Sequence, residues 1–326
     1  MKRILQAAMP MIIIIGFLAG CSGDSEDTVK IGYFPNLTHI ATMVALENNY
    51  FAEEFGEDVT IETMQFNNGG LFMEAMQTNE IDVGTVGPGP LLNIYVQNPE
   101  FHIISGAVNG GAVLAVTNDS GINSVEDLDG TRVAIPVIGS TQDVMLRKAL
   151  KEVNLDTTTS GGTVELFAAA PAETATLFTQ GSVEAAATQE PWGYILETQA
   201  DGNLLLGWDE FAWGKDSTNT VVAATSGFIE NEEQATAYLS AHQKAVAFIQ
   251  DKPEEAQDLV IQHIQDLTGT EIDQEETAAA FSRLEVTTDV NEQVIQEMAD
   301  ISLEAEYVDS NDIGGLIDLS FLERLN

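Results

Sequence analysis

From residue 29 onward the chain alternates short apolar runs with amphipathic stretches, the pattern of strands followed by helices. Val29-Lys30-Ile31-Gly32-Tyr33 predicts a strand, and Ile40 to Phe51 predicts a helix with apolar positions at Ile40, Met43, Val44 and Phe51. Val59 to Met64 predicts a second strand, Leu71 to Gln77 a helix, and Ile81 to Val86 a third strand. Such a βαβ series implies an α/β fold with a mostly parallel sheet. A second series opens near Ser124, where Ser124-Val125-Glu126-Asp127 reads as a helix cap. It continues with a strand at Arg132 to Ile135, a helix from about Thr141 to Val153, a strand at Val164 to Phe167, and a helix opened by Pro171 and closed at Gly181. Helices dominate after Asn231. Asn231 to Gln250 carries Tyr238, Leu239, His242, Val246 and Ile249 on one stripe, Pro253 opens another helix, and Asn291 to Tyr307 reads as a further one. These helices are expected to pack back on the first series.

The two series share a local pattern. Asn79-Glu80-Ile81-Asp82-Val83-Gly84-Thr85-Val86-Gly87 lines up with Gly181-Ser182-Val183-Glu184-Ala185-Ala186-Ala187-Thr188-Gln189. In both, a helix ends, an acidic residue starts a buried strand, and a turn follows. A structural repeat is the expectation.

The first residues follow a different rule. Lys2 and Arg3 precede an apolar run through Met11, Ile12 to Ile15, Phe17 and Leu18, which ends at Ala19-Gly20-Cys21. The run is shorter than the roughly 20 residues that span a bilayer, and the layout is that of a secretory signal peptide. Leu18-Ala19-Gly20-Cys21 resembles the lipobox at which bacterial lipoproteins are cut and acylated. The expectation is a signal peptide over residues 1–20, a lipidated Cys21, a polar spacer over residues 21–28, and an extracytoplasmic protein held to the cell membrane by its lipid alone. Cys21 is the only cysteine, so no intramolecular disulfide forms and the fold rests on its core.

Composition narrows the function. After the first twenty residues about 306 remain, enough for two lobes. Lys plus Arg number 12 against 52 Asp plus Glu, a formal net charge of −40. Spread over helix surfaces, this excess reads as a solvated acidic face that makes nucleic acid an improbable partner. Adaptation to high salt or high pH is the leading explanation, with cation binding as the alternative.

Signals for catalysis are weak. The four histidines, His39, His102, His242 and His263, have no metal-ligand spacing, and no G-x-S-x-G, P-loop or dinucleotide fingerprint occurs. No metal, no cofactor and no enzymatic activity are expected. His242 and His263 read as structural, and His102 as the start of a strand. What stands out is a set of small and polar residues at the predicted carboxyl ends of strands, where open α/β sheets bind ligands. They are Pro35-Asn36-Leu37-Thr38-His39, Gly87-Pro88-Gly89-Pro90, Asn109-Gly110-Gly111, Gly139-Ser140-Thr141-Gln142-Asp143 and Gln189-Glu190-Pro191-Trp192. Ser140 or Thr141 can cap a helix whose free amides suit an anion.

Three segments carry a resemblance. Ile31-Gly32-Tyr33-Phe34-Pro35-Asn36-Leu37-Thr38-His39, Ser124-Val125-Glu126-Asp127-Leu128-Asp129-Gly130-Thr131-Arg132-Val133-Ala134, and Gly181-Ser182-Val183-Glu184-Ala185-Ala186 with Glu190-Pro191-Trp192 resemble the extracytoplasmic solute-binding proteins of ABC importers for nitrate, taurine and aliphatic sulfonates. The resemblance implies a periplasmic binding protein-like type II fold, two Rossmann-like lobes joined by a two-strand hinge. Residues 29–116 plus 221–326 would form lobe 1 and residues 117–220 lobe 2, with hinges near Ala115 to Thr117 and Thr218 to Val222. Asn36, Thr38 and His39 would face the ligand from lobe 1, with Gly87, Pro88 and Gly110 approaching by backbone. Ser140, Thr141, Gln142, Glu190 and Trp192 would meet it from lobe 2.

The resemblance further implies a small organic anion as ligand, an ABC permease with its ATPase as partners, and a monomer. Aliphatic sulfonates such as taurine or an alkanesulfonate lead, because neutral donors plus a helix start suit an anion that keeps its charge. Trp192, Phe211 or Trp213 would cover a tail. Arg283 or Arg147 would assist, although Arg147 reads first as a brace for its own helix. Nitrate and a thiamine-precursor pyrimidine stay open as alternatives. Yeast enzymes that make that pyrimidine share the fold but carry a cysteine-rich motif, for which this chain has no cysteine beyond Cys21. A tethered sensor is the remaining class.

Overall fold

The computed structural model describes residues 27–268 and 273–325. The expected signal peptide, the lipidated Cys21 and residues 22–26 of the expected spacer lie outside the described residues. The first strand already starts at Asp27, because Asp27 and Thr28 pair with Val59 and Thr60.

In chain order, β1 (Asp27–Tyr33) leads into α1 (Ile40–Glu47) and α2 (Tyr50–Phe55), then β2 (Val59–Gln65), α3 (Gly69–Gln77), β3 (Val83–Val86) and α4 (Pro88–Tyr95). β4 (Phe101–Gly110) and β5 (Ala112–Thr117) are separated by Gly111 alone. The second alternation comprises β6 (Arg132–Ile135), α5 (Thr141–Glu152), β7 (Glu165–Ala168), α6 (Thr174–Thr179), β8 (Ala185–Gln189), α7 (Trp192–Gln199) and β9 (Gly202–Leu206). The chain then returns through β10 (Thr218–Thr225) to α8 (Ser226–Ile229), α9 (Glu232–Asp251), α10 (Pro253–Thr268), α11 (Gln274–Phe281), β11 (Leu284–Val286), α12 (Glu292–Glu304) and α13 (Ser320–Leu325).

Two sheets result, one ordered β11-β4-β10-β3-β1-β2 and the other β7-β6-β8-β5-β9. Each holds three parallel strands, β2-β1-β3 and β7-β6-β8, as the βαβ pattern predicts. Each is then extended by antiparallel strands: β10 pairs with β3, and β5 pairs with β8. The sheets are therefore mixed, because the two strands next to the parallel triplets arrive from the opposite sheet. The passages between sheets fall at Gly111 and over residues 207–217, so Ala115 to Thr117 and Thr218 to Val222 are paired strand residues. The expected lobe boundaries at 116/117 and 220/221 fall inside β5 and β10.

The repeat is visible at atomic level. Asp82 accepts the Lys30 N–H at 2.8 Å, and Glu184 accepts the Arg132 N–H at 2.8 Å. In return, the Asp82 and Glu184 amides donate to the Lys30 and Arg132 carbonyls. The acidic residue singled out in each series thus locks the register of the first strand against the third.

Strand alternation divides the core between sheet faces. On β10, Val222 and Ala224 join Val29, Ile31 and Tyr33 under α1 and α9, while Val221 and Ala223 face Phe72, Leu91 and Met298. In the second sheet Val133, Ile135, Ala185 and Ala187 pack with Met145 and Leu146, and Ala134 and Ala186 pack with Phe178 and Leu196. The stripe Tyr238, Leu239, His242, Val246 and Ile249 is buried, and α9 and α10 pack on α1 of the first sheet. The expected helix over Ile40 to Phe51 is split. Asn49 adopts φ 58°, the left-handed region that asparagine tolerates better than most side chains.

Candidate functional site

A cavity of about 200 Å³ lies where the parallel strands of both sheets end. The residues after β1, β2, β3, β6 and β7, and Gln189 at the end of β8, line it, and Asn219 and Thr220 of β10 complete it. The starts of α3, α4, α5 and α7 also reach it, at Asn68 and Gly69, at Gly87 and Pro90, at Ser140 to Gln142, and at Trp192. Each helix start brings the equivalent of roughly half a positive charge, although α4 has no free amide in its first turn, because Pro88 and Pro90 carry no N–H and the Gly89 N–H is taken by Thr141. Among the lining residues there is no Lys, Arg, Asp or Glu. The site is electropositive through backbone dipoles, with no fixed ion.

Asn36 caps the turn after β1. Its Oδ1 accepts from the Thr38 N–H at 3.0 Å and from the Thr38 hydroxyl at 2.8 Å. With that oxygen occupied twice, Asn36 offers a ligand its amide N–H groups, and Thr38 offers an acceptor oxygen. His39 is buried, with Nδ1 2.8 Å from Thr85 Oγ1. Burial pushes its imidazole down from 6.5 to about 3, against the opposing effect of the Thr85 contact. His39 is neutral at physiological pH and packs against Phe34, another lining residue, with ring centroids 4.5 Å apart and planes tilted by 34°.

From the other sheet, Ser140 caps α5 by accepting the Asp143 N–H at 3.3 Å. Thr141 Oγ1 accepts the Gly89 N–H at 3.1 Å, joining the starts of α4 and α5. The approach is close enough to need glycine. A Cβ on Gly87 would fall 2.3 Å from Thr141 Oγ1, and one on Gly89 2.8 Å from the Thr141 nitrogen. Gln142 Nε2 donates to Asn219 Oδ1 at 3.4 Å.

The structure brings together eight of the eleven residues expected at the ligand: Asn36, Thr38, His39, Gly87, Ser140, Thr141, Gln142 and Trp192 all line the cavity. Pro88, Gly110 and Glu190 do not. Pro88 is spent on the first position of α4, where its fixed φ suits the helix. A Cβ on Gly110 would face Trp208 at 2.5 Å rather than the cavity. Glu190 turns inward, where it accepts the Tyr194 N–H at 2.9 Å and pairs with Arg283 at 3.0 Å. Of the aromatic candidates only Trp192 is in place: Phe211 is buried in the second sheet's core, and the Trp213 indole donates to Glu297. Phe34 and Phe66 supply the remaining aromatic cover. Arg283 and Arg147 are also absent from the lining. Arg147 braces Asp143 at 3.1 Å and Tyr307 at 2.7 Å, as a helix brace should.

Sequence reasoning did not identify Phe66-Asn67-Asn68, although these residues follow β2 and the strand-end rule applies to them. Asn219 gave no signal, since it lies within β10 rather than after a strand.

The sequence model described as the NMT1-like family matches residues 22–264. A Bacillus subtilis (strain 168) protein provisionally named for aliphatic sulfonates binding is 26% identical over 326 residues, 96% of this chain and 95% of the relative. The taurine-binding periplasmic protein of Escherichia coli (strain K12) is 27% identical over 172 residues, 52% of this chain and 51% of the relative. Among solved structures, the alkanesulfonate-binding protein SsuA from Xanthomonas axonopodis pv. citri, bound to MOPS, superposes with a TM-score of 0.75 at 18% identity, covering 89% of this chain and 98% of its own. The periplasmic nitrate-binding protein NrtA from Synechocystis PCC 6803 has a TM-score of 0.75 at 14% identity, with 92% and 88% covered. These structures share the fold of this chain.

Proposed function

This chain belongs to the NMT1-like family, and on that premise we propose that it is the substrate-binding component of an ABC importer for small organic anions. Its relatives bind solutes and are not enzymes. The observation that carries the reading is an uncharged cavity at the carboxyl ends of both sheets, onto which four helix starts converge. Such a site holds an anion through amides and hydroxyls, at helix N-termini, without a counter-ion. An aliphatic sulfonate fits best: its oxygens meet Asn36, Ser140 and Thr141, while Phe34, Phe66 and Trp192 cover its carbon chain. The two lobes, each built on one sheet, close over it, and the closed form is delivered to the permease. In this reading the protein acts outside the cytoplasm as a lipid-anchored monomer with Cys21 as its anchor.

One observation favours a second reading. Neutral amides beside three aromatic rings also suit a neutral planar heterocycle, so a thiamine-precursor pyrimidine is the alternative ligand. The test is a thermal-shift screen against taurine, alkanesulfonates, nitrate, sulfate, pyrimidine precursors and amino acids. A ligand at 100 times its dissociation constant contributes about 2.7 kcal/mol. A raised melting temperature with sulfonates alone supports the proposal; a response to pyrimidines alone replaces it.

A further inference from the structure

Two polar atoms left unpaired in the interior belong to side chains that line the cavity. Asn219 is 2% exposed, and its Oδ1 is engaged by Gln142, which leaves the Nδ2 donor without a partner. Gln189, the last residue of β8, has a buried Oε1 acceptor without a partner. Both flank the passage between the sheets: Gln189 is the ladder partner of Ala112, and Asn219 Nδ2 lies 3.7 Å from where a Cβ on Gly111 would stand. One unmet donor and one unmet acceptor therefore belong to the lining of a cavity that offers no charge of either sign. Neither atom is itself open to the cavity, so a small rotation of each side chain accompanies binding; buried amide groups are almost always paired in folded proteins, and each then becomes a position that a bound molecule can satisfy.

We infer that Asn219 and Gln189 are the specificity pair of this site: Asn219 donates to the ligand, Gln189 accepts from it, and the preferred ligand carries both an acceptor group and an N–H or O–H donor. The inference rests on the solute-binding reading and refines its ligand class. A bare oxyanion satisfies Asn219 but leaves Gln189 unmet. An anion that also bears an ammonium group satisfies both, and its zero net charge removes the repulsion met by any anion approaching a protein of net charge −40. The cavity bounds its size, since about 200 Å³ equals roughly seven waters at about 30 Å³ each.

The test uses the full-length protein and two matched pairs of probes, read by titration calorimetry. 2-Aminoethanesulfonate and propane-1-sulfonate share a head group and length but differ in the donor; 4-aminopyrimidine and 4-methylpyrimidine differ in the same way. In whichever class binds, the donor-bearing member should bind at least about tenfold more tightly, the equivalent of one hydrogen bond. Gln189→Met should erase that preference while leaving the donor-free member within about threefold, and Gln189→Glu, which keeps an acceptor, should retain the preference. Asn219→Leu should weaken both members alike. Unchanged melting temperatures separate these effects from misfolding. Equal binding of matched members by the wild type, or a preference that survives Gln189→Met, overturns the pair while leaving the ligand class standing. Silence from all four probes overturns both the pair and the ligand classes proposed above.

Discussion

Glu190 and Arg283 hold each other twice, once by charge and once through Gly111. Their side chains pair at 3.0 Å, and Arg283 also reaches Glu197 at 2.5 Å. On the backbone, the Glu190 N–H donates to the Gly111 carbonyl at 2.8 Å, and the Gly111 N–H donates to the Arg283 carbonyl at 2.9 Å. The ring closes around the residue through which the chain passes from one sheet to the other.

Removing the cation from this ring should be costly. Burial raises the Glu190 carboxyl above its usual range, opposed by the Tyr194 N–H and Arg283. Arg283→Met leaves that carboxylate buried beside Glu197, a loss of about 3–5 kcal/mol and a melting temperature lower by roughly 10 °C. Because the folded state then holds a proton on Glu190 above pH 4.5, the deficit should be smallest in acid and grow as pH rises. The double variant Arg283→Met/Glu190→Gln should recover most of the loss. A single variant that melts within about 2 °C of the wild type would remove the pair from the account of stability.

Thr141→Val should separate binding from folding. It keeps the volume but removes the acceptor for the Gly89 N–H, a bond between the starts of α4 and α5, which follow strands of different sheets. Ligand affinity should fall about tenfold, with the unliganded melting temperature changed by less than about 3 °C. The reverse result, a lowered melting temperature at unchanged affinity, would make Thr141 a fold residue.

Ligand affinity should be flat between pH 5 and pH 8. The only lining group that titrates nearby is His39, and it is held down to about 3. The same shift makes stability pH-dependent. His39 and His242, lowered to about 4, stay neutral in the folded chain. Their contribution is complete above the unfolded value near 6.5 and is lost as pH falls through the folded values. Calorimetric titrations across pH check the first claim, and a shallower acid limb in His39→Gln checks the second.

Salt should stabilise this protein. Every described Lys and Arg already has a carboxylate, carbonyl or aromatic partner, from Lys30 on Asn79 to Arg324 on Phe321. The remaining carboxylates therefore repel one another with only solvent ions to screen them. Raising NaCl from 0.1 M to 1 M shortens the Debye length from about 10 Å to about 3 Å and should raise the melting temperature by several degrees. A rise obtained only with millimolar divalent cations would instead favour cation binding.

Cys21→Ser should release the protein from membranes into the medium, measured by fractionation of expressing cells. Continued retention in the membrane fraction would exclude the lipid anchor.

The alternation of elements was legible because a strand and a helix repeat their apolar positions at different periods, and the repeat was legible in the aligned acids Asp82 and Glu184, although the register lock they form was not. The passages between sheets were not. β4 is buried at every residue but His102 and Asn109 and β5 at every residue, so the positive φ of Gly110 and Gly111 marks the point where one ends and the other begins. The site was legible where a loop follows a strand, as at Asn36 and Ser140. It was hidden where the chemistry depends on a partner far away in the chain, as at Glu190, whose acidic side chain looks free until Arg283 is brought beside it.

Gly110 and Gly111 also form the shorter of the two passages from one sheet to the other. A swing of one sheet against the other must be taken up where the strands are continuous, and the joint there is two glycines long. It has little clearance: Trp208 stands where a Cβ on Gly110 would go, and Leu284 lies 3.3 Å from that position on Gly111. These two side chains crowd the joint, so at either position any side chain larger than hydrogen would meet a packed neighbour at the point where the chain changes sheets.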